Sequence, residues 1–153
     1  MSFVKKTVEV DVKGLFNDLI EISKYNKERA YKGGVFIGAV AIFREFMESS
    51  ISIGRQVGKT KTILSMVNSE PMKYIVIVHN HEMKRLYKQE TSGEVYAASE
   101  FNNLDGRLLD MSGRILIFDE VSASKRFEVY QNLAILFKNS SHYPDAILAV
   151  GIQ

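Results

Sequence analysis

Ser50-Ile51-Ser52-Ile53-Gly54-Arg55-Gln56-Val57-Gly58-Lys59-Thr60 is the stretch on which the reading of this chain turns. A short apolar run is followed by a glycine-bearing turn, and Gly-Lys-Thr then opens a helix. Glycine lets backbone approach an anion closely and turn its N–H groups inward. The helix start adds its partial positive charge. This is the arrangement that holds nucleotide phosphates. Gly54, Gln56, Val57, Gly58, Lys59, Thr60 and Lys61 are the expected phosphate-contacting set. Lys59 would reach the β- and γ-phosphates, and the Thr60 hydroxyl would ligate Mg²⁺. The common form of the motif has glycine five positions before Gly58; here Ile53 stands there, and a glycine follows one position later.

A second stretch gives the first its weight. Arg114-Ile115-Leu116-Ile117-Phe118-Asp119-Glu120 is a β-branched apolar run ending in two carboxylates. Continuous hydrophobic runs mark parallel strands buried on both faces, and the chemistry of open α/β sheets gathers at the carboxyl ends of strands. In isolation, Asp-Glu after a strand reads as a helix cap with solvated charge. Downstream of a phosphate loop, Asp119 is expected to hold the Mg²⁺ shell and Glu120 to polarise the attacking water.

The 153 residues, 46% hydrophobic and 25% charged, suit one soluble globular domain. A net charge of +2 argues neither for nor against nucleic acid. With no cysteine, disulfides and thiolate metal sites are excluded. The start Met1-Ser2-Phe3-Val4-Lys5-Lys6 has no signal-peptide character. The longest apolar segment, 35–43, falls well short of the roughly 20 residues that span a bilayer. No membrane association is expected, and the location expected is cytoplasmic, in the host cytoplasm if the protein is viral.

Residues 3–12 alternate, with Val8, Val10 and Val12 opposite Glu9 and Asp11, which predicts an edge strand ended by Gly14. From Leu15 the period becomes helical. Lys24, Lys27, Arg29 and Lys32 form the densest positive segment, expected as a solvated face, with contact to nucleic acid or a partner as the sharper alternative. Gly33-Gly34 breaks the chain before a second, apolar helix over 35–47. A helix over 59–68 follows the phosphate loop. Strand 73–79 ends in His79-Asn80-His81, read as a polar strand end rather than a metal site, since no third ligand lies within sequence reach. A short helix spans 82–90, and a short strand is a candidate at 94–98. Leu104 to Met111 reads as a turn or short helix. Ser122-Ala123-Ser124 caps an amphipathic helix carrying Phe127, Tyr130, Leu133, Ala134 and Phe137, and 146–150 is the last strand.

Strands alternating with helices predict an α/β fold, a three-layer sandwich with a mostly parallel sheet. The expected organisation is one domain, 1–153, with an N-terminal strand and helices over 3–48 and a nucleotide-binding core over 49–153. In the pattern of P-loop NTPases that carry a strand between the phosphate loop and the acidic pair, the order is 50–53, 146–150, 114–118, 73–79. Strand 3–12 is then the candidate to cover 50–53.

Ser-Ile-Gly-Arg-Gln-Val-Gly-Lys-Thr at 52–60 resembles the phosphate loop of the large terminase subunits, the DNA-packaging motors of tailed bacteriophages. Their loop commonly reads Ser-Arg-Gln-apolar-Gly-Lys-Ser/Thr and likewise often lacks the first glycine. The acidic pair after an apolar strand, and the strand 146–150 leading to a small-residue and polar turn, are similar to that family as well. The resemblance covers about residues 45–153. It implies a minimal core of the ASCE type, the P-loop class with a catalytic glutamate, binding ATP and Mg²⁺. Lys59 and Thr60 would hold phosphate and metal, Arg55 would neutralise charge on the transferring group in cis, and Gln153 would sense the γ-phosphate. Tyr31 and Phe36 are candidates for the adenine. Terminase large subunits are several times longer and carry a nuclease domain, so DNA cleavage is not expected of this chain.

The function expected is therefore Mg²⁺-dependent ATP hydrolysis, in a homo-oligomer or a larger phage complex, acting on or with DNA as in packaging. The alternative is a module that binds ATP without hydrolysing it and serves as adaptor or regulator of a larger nucleic-acid machine. A nucleotide kinase fits less well, because the chain has no obvious arginine-rich lid and adjacent Asp-Glu suits water activation.

Overall fold

The computed structural model describes residues 11–32, 38–52, 58–103, 110–137 and 139–151. Helix α1 (Val12–Lys32) comes first, and α2 (Ala39–Ala41) runs directly into a π-helical turn (Ile42–Met47). Strand β1 (Glu48–Ile51), helix α3 (Lys59–Ser69), strand β2 (Tyr74–Val78), helix α4 (His81–Glu90) and strand β3 (Glu94–Ala97) follow. After a 3₁₀ turn (Ala98–Asn103) come β4 (Ile115–Asp119), α5 (Ala123–Leu136), a second 3₁₀ turn (Ser140–His142) and β5 (Ala146–Val150).

The five strands form one all-parallel sheet in the order β1-β5-β4-β2-β3. The four-strand order expected from sequence holds, and β3 adds to it beyond β2. Every residue of β2, β4 and β5 is buried, as continuous apolar runs require when helices cover both faces. The edge strand β3 alternates instead, burying only Val95 and Ala97.

Alternation along each strand sorts the core into two layers. Val76, Val78, Ile115, Ile117, Leu148 and Val150 pack with Phe16 and Ile20 of α1, Ile63 and Val67 of α3, and Tyr87 of α4. Ile75, Ile77, Leu116, Phe118, Ile147 and Ala149 pack with Phe43 and Met47 of the π-helical turn and Tyr130 and Leu133 of α5. The chain path accounts for the division. It moves across the sheet from β1 to β2 to β3 through α3 and α4, then returns to β4 and β5 through α5. Right-handed crossovers put the helices on opposite faces when the direction reverses.

Among the boundaries that differ from the sequence reading, two bear on how the sheet is built. Val12 is the first residue of α1 and not the end of a strand; Asp11 begins the helix, its Oδ1 accepting from Gly14 N at 2.9 Å and its carbonyl from Leu15 N at 3.0 Å. Gly14 thus lies inside a helix, because a side-chain acceptor at the helix start outweighs its poor propensity. Residues 3–10, offered as cover for β1, lie outside the described residues. The strand expected at 50–53 is 48–51 instead: Glu48 and Ser49 join it because they pair with Ile147 and Leu148 of β5.

Candidate functional site: the carboxyl-terminal edge of the sheet

Parallel register brings all five strand ends level. Ile51 pairs with Val150, Val150 with Asp119, Asp119 with Val78, and Val78 with Ala97. The ladder extends one bond further on each side of β5, since Glu120 N donates to Val150 O and Gly151 N donates to Ile51 O, both at 2.9 Å. The residues after β1, β4 and β5 are therefore held together before any side chain is considered.

Helix α3 starts at this edge. Gly58 adopts φ +73°, the left-handed region that favours glycine, and its carbonyl accepts from Thr62 N and Thr62 Oγ1, each at 2.9 Å. The first N–H groups of the helix have no partner within it. Lys59 is 7% exposed, and its Nζ meets Glu120 Oε1 in an ion pair. Thr60 Oγ1 donates to Asp119 Oδ2 at 2.9 Å across 59 residues of sequence. Lys61 is exposed, in the first turn.

Asp119 shares the alternation of Ile115 and Ile117, which face α3 and α4. Its carboxylate is 2% exposed, and Oδ2 takes a second donor, the hydroxyl of Tyr87 in α4. Oδ1 is buried and has no hydrogen-bond partner among the described residues. A buried carboxylate oxygen without a donor is costly unless a cation completes it. The donor set fits a hard ion: one carboxylate and one hydroxyl at a helix start are what Mg²⁺ takes from protein when phosphates and water supply the rest. Among the described residues, no three His, Cys, Asp or Glu side chains gather as an all-protein metal cage. Tyr87 itself is 2% exposed, and burial first, then the Asp119 charge, push its ionisation well above the ordinary tyrosine range.

Glu120 turns out of the strand with φ +57°, unusual for a residue bearing a side chain. Gly151, at φ +103°, lies directly against it: a Cβ there would come within 2.6 Å of the Glu120 carboxyl carbon. Glycine at 151 is thus the space in which Glu120 sits.

Of the residues singled out by sequence, Gly58, Lys59, Thr60, Asp119 and Glu120 come together. Gly54, Arg55, Gln56, Val57, Gln153 and Phe36 lie outside the described residues. Tyr31 does not approach the site. It lines a cleft with Lys24, Lys27 and Asp145 at the amino end of β5, the opposite end of that strand from Asp119, because α1 carries it away. The polar strand end after β2 is divided among separate tasks. Asn80 caps α4 by accepting from Met83 N at 2.9 Å, His79 Nδ1 lies 3.0 Å from Lys125 Nζ, and His81 faces Ser99. Tyr87 and Gly151 were missed as site residues. The available signals were a tyrosine on the buried side of a short polar helix, and a glycine one residue beyond a fully apolar strand.

Comparison with protein-family models, curated proteins and solved structures gave no match.

Proposed function

We propose that the chain is an Mg²⁺-dependent P-loop ATPase whose site is the cluster Lys59, Thr60, Asp119 and Glu120. The observation that carries this reading is the meeting of Thr60 Oγ1 with Asp119 Oδ2, at 2.9 Å, beside the Lys59–Glu120 pair. Two motifs read independently from sequence supply these four side chains, and the strand order brings them to one edge.

The chemistry follows from their types. ATP lays its β- and γ-phosphates on the start of α3, and Lys59 exchanges Glu120 for phosphate oxygens. Glu120, released from the lysine, orients a water and accepts its proton as the water oxygen bonds to the γ-phosphorus. The bond from the γ-phosphorus to the bridging oxygen breaks, and ADP leaves with the electron pair. Thr60 and Asp119 would hold Mg²⁺, which when bound neutralises charge on the phosphate oxygens. Arg55, by its place in the loop sequence, is the candidate to stabilise the transferring group. Action on DNA in a phage process rests on the terminase-like loop sequence alone.

Phosphate release from ATP with MgCl₂, with and without double-stranded DNA, tests the reading. Glu120→Gln should lower turnover by about 10²–10⁴-fold while nucleotide still binds, the range for loss of a positioned general base. Lys59→Ala should remove both binding and turnover. ATP binding without turnover by the wild-type protein would support the adaptor reading instead. An absence of binding would overturn both.

A further inference from the structure

The hydroxyl of Tyr87 has no part in the mechanism above, yet it is buried against the carboxylate that the mechanism assigns to the metal. Its helix is held at both ends and along its length. Asn80 caps the start, Lys84 Nζ donates to Glu100 Oε1 at 2.6 Å, and Lys88 Nζ donates to Gly93 O at 2.8 Å. Asn68 Nδ2 of α3 donates to Glu90 O at 3.1 Å. Tyr87 therefore reaches Asp119 from a fixed platform.

Two hydroxyl donors on one oxygen fix the plane of a carboxylate. Thr60 and Tyr87 both donate to Oδ2, so the acceptor capacity that remains is concentrated on Oδ1, the atom without a partner. The Thr60 hydrogen is committed to Asp119 in the same arrangement, which turns the Thr60 oxygen lone pairs outward. We propose that Tyr87 is a positioning residue for the metal-binding pair: it holds Asp119 so that Oδ1, together with the Thr60 oxygen, faces the cation that accompanies the nucleotide. The proposal rests on the phosphate-site reading given above. Outer partners of ligating carboxylates commonly change metal affinity by about 10–100-fold when removed. Phenylalanine at 87 would keep the ring packing and delete only the donor.

The test is thermal unfolding of the whole chain with ADP while MgCl₂ is titrated, with EDTA as the zero point. For the wild type, ADP with MgCl₂ should raise the melting temperature beyond ADP with EDTA. Tyr87→Phe should need about ten-fold more MgCl₂ for half of that rise, each protein being read against its own EDTA value. In an Asp119→Asn background the same substitution should add nothing, since Tyr87 acts through Asp119; a merely structural tyrosine would give additive losses. Superimposable MgCl₂ titrations for wild type and Tyr87→Phe would overturn the proposal while leaving the site reading intact. A wild type that responds to neither ADP nor MgCl₂ would overturn the site reading, and this proposal with it. If Tyr87→Phe does not fold, ¹³Cζ tyrosine resonances of the wild-type protein provide the second measurement. The Tyr87 signal should move on adding MgCl₂ to ADP-saturated protein, and an unmoved signal would overturn the proposal.

Discussion

The two edges of the sheet are built from the same five strands but are finished differently. At the amino edge, several polar groups from distant parts of the chain close on one another. Ser23 of α1, fully buried, donates to Met47 O at 2.5 Å and accepts from Ile147 N at 2.9 Å. Lys27 Nζ donates to Pro144 O at 2.7 Å, and Asp145 Oδ1 accepts from Gly113 N at 3.0 Å. Arg114 reaches both the Tyr74 carbonyl, at 3.0 Å, and the Glu94 carboxylate, at 2.6 Å. At the carboxyl edge, Asp119 keeps a buried oxygen without a donor, Glu120 takes a left-handed backbone, and α3 presents its start. A fold loses stability by leaving such groups short of partners. The amino edge also keeps buried atoms without a hydrogen-bond partner, Arg114 Nε and His142 Nδ1 among them. Among the described residues, however, only the carboxyl edge sets such an atom beside a helix start and a left-handed residue with a side chain. That combination makes it the place to look for a ligand.

The sharpest way to break this contrast is at Gly151. Alanine there adds a Cβ within 2.6 Å of the Glu120 carboxyl group and imposes φ +103° on a residue with a side chain. Glu120 must move. Displacement of a catalytic group by about 1 Å can cost about 10²-fold in rate, and turnover of Gly151→Ala is expected to fall by at least 10-fold. Phosphate release alongside ADP binding checks this: binding should survive better than turnover. Equal loss of both would mean that residue 151 serves the proposed binding of nucleotide rather than the placing of Glu120.

The same contrast shows which parts of the molecule were open to a sequence reading. Strands β2, β4 and β5 were legible because burial on both faces writes an unbroken apolar run, and the order expected for four of the strands is the order found. That Lys59, Thr60, Asp119 and Glu120 would meet was legible because each opens, ends or follows an element whose place in the sheet could be read. Tyr87 was not, because a tyrosine on a helix face looks the same whether its hydroxyl meets water or a carboxylate. Val12 was misread because three valines at period two outweighed the single Asp11 that starts a helix. Ser23 gave no sign at all, since its partners lie 24 and 124 residues away.

Ser23 is the way to sharpen the other half of the comparison. Ser23→Ala removes the acceptor of the buried Ile147 N–H and the donor to Met47 O. A buried group left unpaired costs about 1–3 kcal/mol, and urea unfolding should show that loss as a lower midpoint with an unchanged slope. The MgCl₂ response with ADP should stay as in wild type. A Ser23→Ala protein that is stable but deaf to MgCl₂ would mean that the two edges are coupled through β5 and are not separate devices.

The smallest effect expected belongs to Glu100, in the 3₁₀ turn after β3. It accepts from Ala97 N at 2.7 Å and pairs with Lys84 of α4 at 2.6 Å. Burial raises its ionisation, but the Lys84 and Ala97 donors and the Lys84 charge together outweigh that and hold the carboxyl below its ordinary value of 4.5. A carboxylate depressed in the folded state contributes stability that is fully present above its unfolded value and is lost as pH falls through the folded one. Glu100→Gln should therefore cost stability at pH 7, by about 0.2–1 kcal/mol as for partly exposed pairs. That cost should vanish below the folded value, where wild type and variant carry the same charge at this position. Urea midpoints at pH 7 and pH 3 measure the difference. Because Lys84 sits three residues before Tyr87 on the platform that reaches Asp119, the informative companion is the MgCl₂ titration of the same variant. A shift there larger than its loss of stability would make α4 a lever on the site and not only its support.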